Sequence, residues 1–172
     1  MKKNIVIIGS VNTKGEQLKL LKEKVEERGH KAIIMDISMG GAPSFKADIT
    51  PEEIASLVGK DINDIIASKD RFDITNTMTK GAGQKATDLL SKGELDGIVS
   101  LGGSTIALLG SRVMSRLPFG IPKVMAVPER PTVMQQARSS EKFSMPAVAE
   151  ALARAWSRVA SFIGLGVSTW LA

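Results

Sequence analysis

Two glycine-bearing segments hold the residue types best suited to chemistry. They are Gly9-Ser10-Val11-Asn12-Thr13-Lys14-Gly15 and Gly102-Gly103-Ser104-Thr105. Glycine leaves backbone N–H groups unobstructed. Ser10, Thr13, Ser104 and Thr105 add hydroxyls, Asn12 an amide and Lys14 a full positive charge. Each segment follows an apolar run and opens a helical pattern, so the positive end of a helix dipole adds to these donors. Together they are the ingredients of an anion or phosphate site. A lysine at a helix start opposes the dipole, and an anion seated between the two would relieve that opposition. Neither segment is a Walker A loop, which needs G-x-x-x-x-G-K-[ST], and neither is G-x-G-x-x-G. The same residues also suit plain strand-to-helix turns, with Lys14 solvated and Ser104 as an N-cap.

Other chemistry-bearing residues are sparse. Asp36 ends an apolar run 27 residues after Gly9, where a Rossmann-type domain sets an acid on a ribose hydroxyl; a loop-capping aspartate reads equally well. His30, the only histidine, follows Gly29 at a helix end and reads as a surface or C-cap residue. Glu52 and Glu53 open a helix and are not a catalytic acid pair. With no cysteine in the chain, thiol nucleophiles, zinc–thiolate sites and iron–sulfur clusters are excluded. No histidine or cysteine lies near the glycine segments, so no triad or histidine-based metal site is expected and no catalytic residue is assigned.

The elements that must position these residues alternate. Ile5 to Ile8 is a β-branched run suited to a strand covered on both faces. Leu18, Leu21 and Val25 recur at helical spacing between Lys14 and Arg28, and Gly29 stops that helix. "KAIIMDIS" is a second buried strand, which completes a βαβ unit. Thr50, Pro51 and Glu53 form a capping-box signature, and "DINDIIAS" reads as a short helix. Residues 77–92 read as a helix weakened by Gly81 and Gly83, followed by the strand in "LDGIVSLGGS". "TIALLGSRVMSRL" is a helix capped by Ser104 or Thr105, and "IPKVMAVP" is a fourth strand. The alternation predicts an α/β, Rossmann-like open sheet, mainly parallel, with helices on both faces. Residues 1–128 are expected to form that domain. Residues 129–172, with Trp156 and Trp170, read as a divergent, mainly helical tail.

Composition sets the boundaries. The chain has 172 residues, 43% of them hydrophobic and 24% charged, which suits one globular domain with an appended segment. Its +5 charge is spread along helix faces such as "KLLKEKVEERGHK", and aromatics are only 4%, so no nucleic-acid surface is expected. No run approaches the roughly eighteen apolar residues of a membrane span, and the apolar run after "MKK" is too short for a signal peptide. The absence of cysteine suits a cytoplasmic protein.

The motifs, taken in order, resemble the family that shares the ATP-binding domain of a plant tobamovirus-resistance protein. The resemblance is carried by the Gly9–Gly15 loop, the strand ending at Asp36, "DITPEEIA" at 48–55, residues 95–104 and "LPFGIPKVM" at 117–125. It implies a Rossmann-like domain binding ATP, with Mg²⁺ able to accompany the nucleotide. Both glycine segments, Thr13, Lys14, Gly102, Gly103 and Ser104 above all, would be phosphate contacts. Asn12 stands where that family usually has aspartate, and Thr105-Ile106-Ala107 replaces a further glycine. The similarity fades after about Ala126, before the family's second half, which predicts a truncated or frameshifted tail and a homo-oligomer that covers the exposed sheet. Two other readings stay open: an enzyme acting on a phosphorylated or carboxylated small molecule, and an interaction module with structural loops.

Overall fold

Residues 2–127 are described by a computed structural model. The expectations placed on residues 128–172, including the tail helix, both tryptophans and the truncated or frameshifted end, lie outside the described residues. Strands β1 (Asn4–Gly9), β2 (Lys31–Asp36), β3 (Gly97–Leu101) and β4 (Lys123–Ala126) form one four-stranded parallel sheet in the order β2-β1-β3-β4. The fold is therefore the α/β, Rossmann-like open sheet that the alternation predicts. Val6, Ile7 and Ile8 are wholly buried, as a central strand covered on both faces requires.

The faces divide cleanly. Helix α1 (Val11–Glu26) packs on β1 and β2, burying Val11, Leu18 and Val25. The opposite face carries α2 (Pro51–Ser56), α3 (Ile62–Ala67), α4 (Arg71–Ser91) and α5 (Ser104–Met114), whose apolar side chains join Val6, Ile8, Met35 and Ile98 in the main core. Opposite faces follow from topology. The chain leaves β1 for β2 on one side and β3 for β4 on the other, and right-handed crossovers then put α1 and α5 on different faces. The register sets Gly9 beside both Asp36 and Leu101, so the carboxyl ends of β2, β1 and β3 lie level.

Four local expectations change. Helix α1 begins at Val11, not Lys14: Gly9 ends β1, Ser10 is the N-cap, and Val11–Gly15 lies in the helix rather than in a loop. Lys14, at φ −132° and ψ 24°, kinks it there. Helix α4 begins at Arg71, six residues before the expected start, because the Asp70 side chain accepts from the N–H groups of Phe72 and Asp73 at 2.9 and 3.2 Å. Gly81 and Gly83 are packing residues: a Cβ on Gly81 would run into the Ile54 carbonyl oxygen of α2, and one on Gly83 would press the Arg116 side chain. At α2, Thr50 does accept from the Glu53 N–H, at 3.4 Å, but the Glu53 carboxylate pairs with Lys85 instead of reaching back.

Candidate functional site

The sheet changes winding direction between β1 and β3, and ligands of open α/β sheets bind in the crevice at such a point. Here the N-termini of α1 and α5 flank it, one following Gly9 and the other Gly102-Gly103. The structure thus brings both glycine segments to one end of the sheet, after adjacent strands. His30 follows α1 at the opposite end of the sheet, next to Lys31 where β2 begins.

The two helix starts differ from the other three. Thr50, Asp61 and Asp70 each cap α2, α3 and α4 through a side chain, and each of those helices carries an acid in its first turn. Helices α1 and α5 have neither a side chain from their own N-cap residue on the first turn nor an acid within it. At α5 the N-cap is Gly103, so neither Ser104 nor Thr105 caps it, contrary to the sequence expectation. Both sit in the first turn, exposed, and the N–H groups of Ser104, Thr105 and Ile106 have no partner among the described residues. Space at Gly103 is open, whereas Gly102 is tight: a Cβ there would lie 2.6 Å from that of Ile106.

At α1 most donors are spent. The Val11 N–H donates to Asp36 Oδ1 at 3.1 Å, and the N–H groups of Thr13 and Lys14 donate to the Ser10 carbonyl at 3.2 and 2.8 Å. Only the Asn12 N–H lacks a partner among the described residues in this turn. Lys14 is half-buried and makes no ion pair among the described residues, and Thr13 is exposed, its hydroxyl 3.5 Å from the Ser10 carbonyl, too far to be held. Gly9 and Gly15 are close-approach residues. A Cβ on Gly9 would lie 2.5 Å from Leu18 Cδ2, and one on Gly15 would overlap the Ser44 hydroxyl.

Asp36 is 2% exposed, and its Oδ1 also accepts from the N–H of Ser38 at 2.9 Å and from the Ser38 hydroxyl. The sequence reading missed what surrounds it. Ser10 Oγ lies 2.5 Å from Asn12 Oδ1 and 3.2 Å from Ser38 Oγ; Asn12 Nδ2 donates to the Gly40 carbonyl; Ser44 Oγ donates to the Val11 carbonyl at 2.9 Å. The turn after β1 is thereby laced to the segment after β2. The signal available in sequence was a run of small and polar residues, "SMGGAPS", directly after a buried strand.

Residues 3–129 match the N-terminal domain of an uncharacterised protein family, UPF0261. The chain belongs to UPF0261. It is 37% identical over 125 residues to a UPF0261 protein of Clostridium tetani, covering 73% of this chain and 31% of that protein. A UPF0261 protein of Rhizobium meliloti is 30% identical over 123 residues, covering 72% of this chain and 30% of its own length. One from Brucella suis is 29% identical over 119 residues, with 69% and 28% covered. The chain spans about a third of the length of these curated relatives. These matches correct the resemblance drawn from sequence: the domain is that of UPF0261, with bacterial relatives, and no link runs to the plant resistance protein. Short glycine turns and strand ends recur across doubly wound sheets because the backbone geometry demands them, so such motifs discriminate poorly between families.

Among the described residues no group of three or more histidine, cysteine or acidic side chains is placed to hold a metal ion. No described helix is long and apolar enough to cross a membrane.

Proposed function

We propose that this UPF0261 domain binds the phosphates of a nucleotide, ATP in the first instance, in the crevice between the starts of α1 and α5. One observation carries the reading. The two helices that open onto the crevice are the two whose N-cap residues lend no side chain and whose first turns hold no acid; the other three are capped and acidic. An anion would supply the missing complement at α5, and at α1, where Asp36 already accepts the Val11 N–H, it would meet Lys14 and the Asn12 N–H. The N–H groups of Ser104, Thr105 and Ile106 would donate to phosphate oxygens beside the Ser104 and Thr105 hydroxyls. Lys14 would neutralise charge from the α1 side, with Thr13 and the Asn12 N–H nearby. Gly102 and Gly103 would let the backbone come close. Mg²⁺ would arrive with the nucleotide, held by its phosphates. No group here is set up as a general acid or base, so the reading is of binding, in a cytoplasmic protein.

The test is thermal unfolding of the full chain with and without millimolar ATP and Mg²⁺, beside Lys14→Ala. A ligand at a hundred times its Kd adds about 2.7 kcal/mol, a shift of several degrees for a domain of this size. A shift in the wild type that shrinks in the variant is the expected result. A well-folded wild type that ATP leaves unmoved would overturn the proposal.

A further inference from the structure

Beside the crevice, above the carboxyl end of β2, lies a cleft of about 600 Å³. Pro43, Phe45, Ala47, Ile62 and Ile66 give it an apolar wall, and Lys46 and Glu52 bring opposite charges to the lining. Asp36 and Ser38, 2% and 4% exposed, also line it, as does Asn63. A buried carboxylate beside an apolar wall is costly unless its oxygens are satisfied. All the side-chain hydrogen bonds of Asp36 among the described residues fall on Oδ1: the N–H of Val11, the N–H of Ser38 and the Ser38 hydroxyl. Oδ2 takes no donor among the described residues.

We infer that this cleft receives the nucleoside end of the ligand whose phosphates sit between α1 and α5. A carboxylate oxygen accepts and does not donate, so its occupant must bring a donor, and sugar hydroxyls do. The apolar wall and half-buried Phe45 ring suit a flat heterocycle, and the volume falls within the roughly 300–1,000 Å³ of small-molecule sites. The cleft also adjoins the phosphate crevice through direct contacts. Ser38 Oγ lies 3.2 Å from Ser10 Oγ, and the Asn12 amide donates to the carbonyl of Gly40, which lines the cleft. Gly41 is suited to its place there by a φ of +88°, and a Cβ would also press the Asn12 amide that holds Gly40. One ligand can therefore run from the cleft past Gly40 and Asn12 to the helix starts.

This inference rests on the phosphate reading, and the experiment separates the two. Affinities of the full chain for ATP, adenosine and inorganic tripolyphosphate are measured by calorimetry, for the wild type, Phe45→Ala and Asp36→Asn. Asp36→Asn keeps an acceptor for the Val11 and Ser38 N–H groups while setting a donor where Oδ2 stands. The expected result is ATP binding at least about tenfold tighter than tripolyphosphate, a difference of about 1.4 kcal/mol. Adenosine should compete with ATP, and ATP's advantage should shrink severalfold in both variants. Thermal unfolding confirms that each variant is folded, and the ratio of the two affinities is insensitive to a change in the fraction folded. Equal affinity for ATP and tripolyphosphate in the wild type overturns the cleft assignment and leaves the phosphate reading standing, as does an undiminished ratio in both variants. Adenosine binding without tripolyphosphate binding supports the cleft and overturns the phosphate reading. Failure of all three ligands overturns both.

Discussion

Asp36, the last residue of β2, accepts the backbone N–H of Val11, the first residue of α1, at 3.1 Å and across 25 positions of sequence. The same oxygen accepts the Ser38 N–H at 2.9 Å. One carboxylate oxygen thus satisfies two backbone donors that the turn after β1 and the exit from β2 would otherwise bury unpaired, since Val11 and Ser38 are both buried. Any part Asp36 plays toward a ligand is exercised from a position it already holds for the fold.

Asp36→Ala should therefore destabilise the domain by about 1–3 kcal/mol, the cost of stranding buried donors. Asp36→Asn, which retains an acceptor, should cost less. Urea unfolding at neutral pH measures both, and equal losses would show that the carboxylate's charge, not its acceptor geometry, secures the turn.

Gly81→Ala offers a test of opposite sign to helix propensity. In an exposed helix interior alanine is favoured over glycine by about 1 kcal/mol. Here the new Cβ would run into the Ile54 carbonyl, backbone that cannot swing aside. Overpacking of this kind costs about 1–3 kcal/mol, so the variant should be less stable in spite of its better helix former. A stabilised Gly81→Ala protein would mean that α2 and α4 do not approach this closely.

Asp96 supplies a pH dependence. Its carboxylate accepts from Lys3 Nζ at 2.8 Å and from the Asn4 N–H at 2.8 Å, tying the start of β1 to the turn before β3. The Lys3 hydrogen bond, then that of Asn4, holds its pKa below the ordinary carboxylate value. A carboxylate depressed in the folded state stabilises above its unfolded pKa, near 3.9, and that contribution is lost as pH falls through the lower folded value. Lys3 is partly exposed, so solvent screening limits the total to roughly 1 kcal/mol. Asp96→Asn should lose about that much at pH 7 and converge on the wild type in acid. A constant gap across the acid limb, in denaturant titrations, would assign the loss to packing.

These residues also mark what the sequence could and could not disclose. The strands were legible because β-branched runs such as Ile5 to Ile8 need no partner to announce themselves. Their order was not, because pairing β1 with β3 joins residues about ninety positions apart and leaves no local trace. The glycine segments were legible as candidates. That Val11 to Gly15 is already helical was not: Val11, Asn12 and Thr13 are poor helix formers, and the acceptor that fixes their first N–H lies on β2. The early start of α4 was hidden similarly, in an Asp70 cap that precedes β-branched and polar residues. The cleft was legible only as the small and polar run "SMGGAPS", since the placing of Ile62 and Ile66 of α3 across from that run is the work of the fold.

Gly103→Asp separates stability from binding at the proposed phosphate site. Gly103 is the N-cap of α5, at φ −72°, and an added Cβ would meet nothing within 4 Å. An aspartate there suffers no clash, and its carboxylate can take the free N–H groups of Thr105 or Ile106. Capping and dipole terms together favour it by a few tenths of a kcal/mol up to about 1 kcal/mol over glycine. The same carboxylate would then occupy the position and charge assigned to phosphate. The variant should unfold at the wild-type temperature or above it, while its affinity for ATP and for tripolyphosphate falls at least about tenfold, the effect of setting like charges together in one site. Thermal unfolding beside calorimetric titration reads both quantities. A Gly103→Asp protein that binds ATP as the wild type does would place the phosphates away from α5, and the crevice reading would fall with them.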